Sequence, residues 1–151
     1  MDQIIHTSVK LDVDAHRAFE MFTVNEHLES WLAPLAEVEP LVGGKYELFW
    51  EPDDKENNST KGCKVTAVEK DRFLSFEWRG PKQFKPFMNS CDPLTHVVVF
   101  FTPCGEGSNV CTDVHLIHSG WRSAPEWEEA RRWFVNSWSG AFAELKSKAK
   151  G

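Results

Sequence analysis

Several features that define large protein classes are missing from this 151-residue chain. No apolar run approaches the roughly 18 residues that a membrane-spanning helix requires. Basic residues are also scarce, since 17 Lys and Arg stand against 23 Asp and Glu and give a net charge of −6. Such a balance disfavours binding to the phosphate backbone of a nucleic acid, which needs a basic face. The first residues, Met1 to His6, do not have the charged and apolar regions of a signal peptide, so we expect a cytoplasmic protein.

Cysteine is sparse and lacks the spacing of a metal or redox motif. The four residues are Cys63, Cys91, Cys104 and Cys111, and no two of them form a C-x-x-C pair. Disulfides are rare in a reducing cytoplasm. We therefore expect four free thiols.

Aromatic side chains are abundant, but almost all of them lack a hydroxyl group. Tryptophan (7) and phenylalanine (11) supply all but one of the rings, and tyrosine supplies the last. This composition differs from the tyrosine-rich surfaces that many recognition proteins use. So much bulky apolar material requires either a large core or a wide cavity lined by rings.

Alternating apolar and polar residues predict mainly strands over the first hundred residues. A first strand over residues 4–13 is followed by Asp14, which is positioned to cap a short helix that ends at Phe22. A capping box that begins at Thr23 predicts a second short helix, to about Leu32. Further strands are expected over residues 43–50, 62–70, 72–79, 95–102 and 110–119.

The last quarter of the chain has a helical pattern, with Ser123 as the expected N-cap and Pro125 in the first turn. The complete order predicts a single α+β domain over residues 1–151. In it, a curved antiparallel sheet of six to seven strands wraps around a long C-terminal helix, with two short helices after the first strand. A strongly twisted sheet curls around such a helix. Rings from both elements then meet in the space between them, which predicts an aromatic cavity.

Local motifs in the same order resemble those of a known family. In chain order they are Trp31 with Pro34, Gly43-Gly44-Lys45-Tyr46, Gly62 leading into Phe76-Glu77-Trp78, Val97 to Pro103 with Gly105 to Ser108, His115 to Gly120, and Ser137-Trp138 with Leu145-Lys146. Together they resemble the START-like, or helix-grip (SRPBCC), superfamily. Within it the chain is similar to homologues of the heat shock protein 90 ATPase activator, of the C-terminal domain type. Ser137 stands where that family usually has glycine.

This resemblance implies a cavity between the sheet and the long helix that holds an apolar or amphipathic small molecule. Since one fold serves many functions, three hypotheses follow. The first is binding of such a molecule, in the setting of a stress response. The alternatives are a protein-interaction or co-chaperone-like module, with a chaperone, another protein or a second copy of the chain as partner, and a cyclase- or hydrolase-like enzyme. In the activator itself a separate N-terminal domain stimulates the ATPase, and these 151 residues leave no room for it.

We expect nine residues to line the cavity, most of them bulky rings on inward strand faces or on the apolar stripe of the last helix. His118 has two open interpretations, a hydrogen-bonded core histidine or a polar group at the cavity mouth that orients the ligand. The nine candidates are Leu48, Trp50, Phe76, Trp78, Phe87, Phe101, His118, Phe134 and Trp138.

The proline-rich segment over residues 80–93 is predicted to be a long loop. One interpretation makes it a lid over the cavity, with Lys82 and Lys85 near a carboxylate of the ligand. The other is that it folds Phe84, Phe87 and Met88 onto the core. Trp121 and Trp127 either close the same end of the cavity or form a dimer contact.

No motif for catalysis, metal binding or cofactor binding is found. His115 and His118 are three residues apart on a strand and face opposite sides, so they do not chelate one ion. Glu47 and Glu77 lie opposite the inward rings and are expected in solvent. The chain shows neither a nucleophile elbow nor a glycine-rich phosphate loop. We therefore predict no catalytic residue, no metal ligand and no cofactor.

Overall fold

The computed structural model describes residues 3–149, in which seven strands precede one long helix. Two short helices follow the first strand, as the sequence predicts. The strands are β1 (Ile5–Leu11), β2 (Leu35–Val38), β3 (Tyr46–Phe49), β4 (Val65–Glu69), β5 (Phe73–Trp78), β6 (Thr95–Cys104) and β7 (Cys111–Ser119). The helices are α1 (Ala15–Thr23), α2 (Asn25–Trp31), α3 (Lys85–Met88) and α4 (Pro125–Lys148), with a short 3₁₀ turn at Lys82–Phe84 before α3.

The strands form two antiparallel sheets rather than one. Five of them lie in the order β1-β7-β6-β5-β4, and β2 pairs only with β3. Backbone hydrogen bonds connect β4 of the larger sheet to the residues just before β3: Gly43 N donates to Val65 O at 2.9 Å, and Val65 N donates to Gly44 O at 2.8 Å. The predicted α+β class, with an antiparallel sheet and a long C-terminal helix, is therefore confirmed. The seven strands are divided between the five-stranded sheet and the β2–β3 pair.

The strand β2 was not predicted from the sequence. It has only four residues, and prolines at positions 34 and 40 flank it. Its four residues are too few for an alternating pattern to be recognised in the sequence, and prolines normally indicate a break in a strand. Pairing with β3 in the register Ala36 to Leu48 is what makes it a strand.

One stripe of α4 packs into the core. Its buried residues are Trp127, Ala130, Phe134, Trp138, Phe142 and Leu145, which follow the three- and four-residue spacing of a helix face. The helix has 24 residues and is therefore about 36 Å long. Glu126 and Glu128 lie in its first turn and two lysines in its last turn, as the helix dipole favours.

Of the three predicted helix caps, one is confirmed. Asp14 caps α1, since its Oδ1 accepts a hydrogen bond from Arg17 N at 2.8 Å. The capping box at Thr23 is wrong, because α1 continues through Thr23 and its hydroxyl donates to Phe19 O at 3.0 Å. Ser123 is not the N-cap of α4 either, since Ala124 occupies that position without a side-chain hydrogen bond.

The expectation of four free thiols is wrong for two of them. Cys104 and Cys111 form a disulfide across the β6–β7 hairpin, where they are paired directly opposite each other. Spacing along the chain does not reveal this pairing, because it depends on the strand register. Cys63 and Cys91 are free. Burial raises the pKa of the Cys63 thiol to about 12, so it is unreactive near neutral pH.

The segment over residues 80–93 is more ordered than a loop. It contains the 3₁₀ turn and α3, and it packs against the first half of α4. The ring of Phe84 meets Trp133 edge-on at 5.7 Å, and the ring of Phe87 meets Trp127 at 5.1 Å.

Within the described residues, every helix is too short or too polar to span a membrane.

Candidate functional site

A cavity of about 550 Å³ lies between α4, the end of β5 and the segment that follows β3. Its wall is mostly apolar and includes six aromatic residues, with polar side chains among them. The lining rings of the described part of the chain are those of Trp31, Trp50, Trp78, Trp133, Phe134 and Trp138.

The lining rings come from different elements that meet at one end of the molecule. Trp78 is the last residue of β5, and its ring centroid lies 5.1 Å from that of Trp138 on α4. Trp50 directly follows β3 and meets Trp78 at 5.9 Å, with an angle of 70° between the ring planes. Trp50 and Trp133 stand at the mouth, where 36% and 40% of their surfaces are exposed. The site is therefore a ring-lined space that opens to solvent.

Three of the lining indoles use their N–H groups within the protein. Trp31 Nε1 donates to Met21 O at 2.8 Å, and Trp50 Nε1 donates to Leu32 O at 3.0 Å. Trp138 Nε1 donates to Nδ1 of His118 at 3.1 Å. These bonds fix the ring orientations and leave carbon atoms and π faces as the surface available to a ligand.

His118 lies behind the cavity wall and does not line the cavity. Because its Nδ1 accepts from Trp138, its ring hydrogen belongs on Nε2, which lies 3.0 Å from Thr95 Oγ1. The Thr95 hydroxyl donates in turn to Trp78 O at 3.4 Å. Complete burial lowers the pKa of His118 to about 3, so the ring is neutral at physiological pH. The structure thus favours the core-histidine interpretation, with side-chain partners that position Trp138.

Four of the nine predicted lining residues lie in the cavity wall, namely Trp50, Trp78, Phe134 and Trp138. Their role in binding stays a prediction. The other five are packed elsewhere. They are Leu48, which is fully buried, Phe76, which stacks on Tyr46 with ring centroids 3.8 Å apart, Phe101, which meets Phe19 and Phe22 edge-on, His118 behind the wall, and Phe87, which packs on Trp127.

The predicted lining set omitted Trp31, Trp133 and every polar residue of the wall. A signal for the α4 wall is present in the sequence. Five residues of the wall on α4 follow helical spacing beside the buried stripe, and three of them are small. They are Trp133, Ser137, Gly140, Ala141 and Glu144. Small residues next to a bulky apolar stripe leave space instead of filling it. Trp31 gives no comparable signal, because its position depends on how α2 packs against α4.

Two buried donors of the cavity wall have no hydrogen-bond partner among the described residues. They are Nε1 of Trp78 and Nε of Arg79. The Arg79 guanidinium is partly engaged, since its Nη1 donates to Asn89 O at 3.1 Å. Buried donors without a partner are rare and costly in proteins.

The two lysines of the lid interpretation lie outside the wall. Lys85 Nζ donates to Glu56 O at 2.7 Å and to Asn57 Oδ1 at 3.0 Å, which fastens this segment to the neighbouring loop. Lys82 is exposed and is not among the lining residues described. The segment itself does contribute Gly80, Pro81 and Gln83 to the wall.

The ionisable groups of the described wall are Glu51, Glu144 and Arg79. Both carboxylates are exposed, and Arg79 is half-buried. Elsewhere in residues 3–149, no group of three His, Cys, Asp or Glu side chains is arranged to hold a metal ion. The arrangement is suited to enclosing an apolar molecule with a polar end near the mouth.

Comparison with known proteins agrees with this architecture. The sequence profile of the family described as Activator of Hsp90 ATPase homolog 1-like protein matches residues 12–150. No protein with a curated description matches the chain.

Among solved structures, a protein of Mesorhizobium loti superposes with a TM-score of 0.75 at 21% identity, over 97% of this chain and 96% of that one. The Aha1 dimer from Colwellia psychrerythraea has a TM-score of 0.69 at 15% identity, over 99% of each chain. An HSP90 activator from Plasmodium falciparum has a TM-score of 0.67 at 20% identity, over 95% of this chain and 94% of that one. At these identities the superpositions show the fold alone. The match over residues 12–150 shows that the chain belongs to the family of Activator of Hsp90 ATPase homolog 1-like proteins.

Proposed function

We propose that the protein binds a small apolar or amphipathic molecule in the aromatic cavity. The proposal rests on a cavity of about 550 Å³ whose wall is mostly apolar and includes six aromatic residues. This size lies within the range of roughly 300–1,000 Å³ that small-molecule sites occupy. Burial of about 200 Å² of apolar ligand surface contributes about 5 kcal/mol before the costs of association. A burial energy of this size, reduced by the costs of association, supports modest affinity and little discrimination between different apolar molecules.

The proposal is tested with N-phenyl-1-naphthylamine, a neutral apolar dye that fluoresces when it leaves water. The matched variants are Gly140→Leu and Gly140→Ala, because Gly140 lines the cavity and a Cβ added there meets nothing within 4 Å. Leucine adds a bulky side chain at this exposed edge of the cavity wall, whereas alanine adds one methyl group. We expect saturable dye binding to the wild type and to Gly140→Ala, and binding about tenfold weaker to Gly140→Leu, equivalent to about 1.4 kcal/mol.

Either of two results contradicts ligand binding at this site. One is that the wild type gives no saturable fluorescence increase. The other is that Gly140→Leu binds the dye as tightly as the wild type does, since the dye then occupies another surface. Unfolding curves for the three proteins check that the variants are folded.

A second candidate is a protein-interaction module, in the manner of a co-chaperone in a stress response. Membership of the family and the names of two similar structures, an HSP90 activator and an Aha1 dimer, support it. The structure adds an exposed apolar hairpin tip between β2 and β3, where Leu41 and Val42 are 59% and 64% exposed. Both candidates are proposed for a protein of the cytoplasm.

Sedimentation velocity and a chaperone ATPase assay test this second candidate. A concentration-dependent dimer, or an increase in the ATPase rate of an Hsp90-type chaperone, supports the interaction module. A monomer at all concentrations together with an unchanged ATPase rate contradicts it. Substitution of Leu41 and Val42 by serine tests the hairpin tip independently of the cavity, because neither residue lines the cavity.

A further inference from the structure

One indole of the cavity wall has an N–H group without a hydrogen-bond partner. Three other lining indoles, those of Trp31, Trp50 and Trp138, donate to acceptors within the protein. Nε1 of Trp78 is buried and meets no acceptor among residues 3–149. A buried tryptophan normally donates its N–H group, because a donor that leaves water without a new partner costs stability. The cavity that Trp78 lines is where a ligand can supply this acceptor.

The Trp78 ring adjoins the mouth of the cavity through one of its neighbours. It meets four other rings, with centroids 5.1 to 6.2 Å away, those of Trp50, Phe76, His118 and Trp138. Three of these residues are at most 3% exposed, whereas Trp50 is 36% exposed. A ligand that enters at the mouth therefore approaches Trp78 from the side of Trp50, the least enclosed of the four.

Arg79 adds a second buried donor next to Trp78 in the chain. Its Nε has no hydrogen-bond partner in the described part of the protein, and its Nη1 donates to Asn89 O at 3.1 Å. Arg79 takes part in none of the ion pairs found there, so its charge is not neutralised by a contacting carboxylate. The guanidinium lies beside Gly62, 3.4 Å from the position of an added Cβ. Contact with the ligand is therefore assigned to Trp78, and Arg79 supplies a neighbouring positive charge that favours an oxygen over a cation.

We propose that the ligand carries a hydrogen-bond acceptor, a carbonyl or carboxylate oxygen on an apolar body, and that this oxygen accepts from Trp78 Nε1. The apolar body lies among the rings, and the oxygen lies just inside the mouth, beside Trp50. One donor in a mostly apolar wall orients the ligand, as the few polar groups of small-molecule sites do. It also selects acceptor-bearing molecules over hydrocarbons of the same shape, because their binding satisfies the unpaired donor. This inference rests on the proposed ligand-binding function and specifies the chemical class of the ligand.

The experiment compares three probes that share a naphthalene body. They are 2-ethylnaphthalene, which has no acceptor, 2-acetylnaphthalene, which has a neutral carbonyl, and 2-naphthoate, which has a carboxylate. Displacement of N-phenyl-1-naphthylamine gives the affinity of each. We expect at least one acceptor probe to bind about two- to tenfold more tightly than the hydrocarbon, the effect of one hydrogen bond. Tighter binding of 2-naphthoate than of the ketone assigns a carboxylate and a contribution of the Arg79 charge, and the reverse order assigns a neutral carbonyl.

Two matched variants locate the donor. Trp78→Phe removes the unpaired N–H group, and Trp133→Phe makes the same change at the lining indole that is 40% exposed. We expect the preference for the acceptor probe to be lost in Trp78→Phe and kept in Trp133→Phe. The readout is the ratio of two affinities, so a general loss of packing in either variant does not imitate the result. A preference that persists in Trp78→Phe, or that is lost only in Trp133→Phe, overturns the assignment to Trp78.

NMR of the wild type gives a readout that does not depend on the folding of a variant. The indole N–H resonance of Trp78 should move downfield when the preferred acceptor probe binds and should stay unshifted in that direction with 2-ethylnaphthalene. A resonance that does not move downfield at saturation overturns the inference, and so does equal or weaker binding of both acceptor probes relative to the hydrocarbon. Either result leaves the proposed function in place if the dye still binds saturably. Absence of saturable dye binding contradicts the proposed function itself.

Discussion

Trp138 and His118 form the residue pair on which the inner wall of the cavity depends. The indole donates to Nδ1 of a fully buried ring, and that ring is connected through Thr95 to the backbone of Trp78. Each polar side-chain atom of Trp138, His118 and Thr95 has a partner, so these hydrogen bonds orient the Trp138 ring and connect it to the backbone of Trp78. Fully satisfied buried networks of this kind specify side-chain positions.

The buried histidine makes stability depend on pH in a predictable direction. Its pKa in the folded protein is about 3, below the ordinary value of 6.5. The folded state therefore binds fewer protons than the unfolded state at mildly acidic pH, and the contribution to stability is complete above about pH 6.5 and decreases as the pH falls toward 3. We expect a loss of about 1 kcal/mol in the free energy of unfolding between about pH 7 and pH 5.5 from this group alone.

The variant His118→Gln isolates this effect, because its amide accepts from Trp138 and donates to Thr95 but does not titrate. Urea unfolding of both proteins at the two pH values measures the difference. His16, whose pKa Asp71 raises, contributes equally to both proteins and cancels. His96, whose pKa burial lowers, also lowers the pKa of His118, so this coupling belongs to the His118 effect in the wild type. An identical pH dependence in the wild type and the variant would show that the ring is not held neutral.

Substitution of Trp138 separates its packing from its hydrogen bond. Trp138→Ala should destabilise the fold by about 3–5 kcal/mol and weaken dye binding, because it removes a buried ring of the wall. Trp138→Phe retains most of the ring but leaves Nδ1 of His118 without a donor, which costs about 1–3 kcal/mol. Thermal unfolding and dye titration measure both quantities. A cost below about 1 kcal/mol for Trp138→Ala would contradict the packed position of this ring.

At the scale of elements, the helix caps provide a matched pair of substitutions. Asp14→Ala removes the acceptor for Arg17 N at the start of α1 and should cost about 1 kcal/mol. Ser123→Ala changes the residue before the N-cap of α4, which makes no capping bond, so stability should stay within about 0.5 kcal/mol of the wild type. Chemical denaturation of the two variants measures the difference. Equal costs for both would mean that α1 has no side-chain cap.

The glycine within α4 gives a second element-scale prediction. Gly140 lies in the last half of the helix, and the space beside it is open. Gly140→Ala should therefore raise the free energy of unfolding by about 0.5–1 kcal/mol, the helix propensity difference between the two residues. Differential scanning calorimetry measures the gain. A loss of stability would show that the position is more crowded than the cavity geometry indicates.

Periodicity in the sequence predicts most elements, since alternation identifies the strands of the main sheet and three- to four-residue spacing identifies α1 and α4. It does not identify β2, which has four residues between prolines. The caps that the sequence predicts at Thr23 and Ser123 are wrong, because capping depends on the residue at which the backbone enters the helix. The Cys104–Cys111 pairing depends on hairpin register, which spacing alone does not supply.

At the scale of the whole molecule, the cavity lies between the end of β5, the segment that follows β3 and the middle of α4. The sequence predicts that the rings converge, and Trp50, Trp78, Phe134 and Trp138 do meet around this space. It does not predict which end stays open. Phe76 and Trp78 lie on the same face of β5, yet the former is stacked on Tyr46 and only the latter reaches the cavity. That difference arises from the packing of α1, β3 and α4 together, which a strand pattern does not contain.

Amide NMR of the isotope-labelled protein, titrated with N-phenyl-1-naphthylamine, tests the central claim most directly because it locates the bound molecule. We expect chemical-shift changes at residues 78–81 and 133–141, which line the cavity, and none at the strand residues whose side chains lie on the outer face of the sheet, Val98, Phe100, His115 and Ile117. Shifts confined to that outer face, or no shifts at saturating dye, would contradict it.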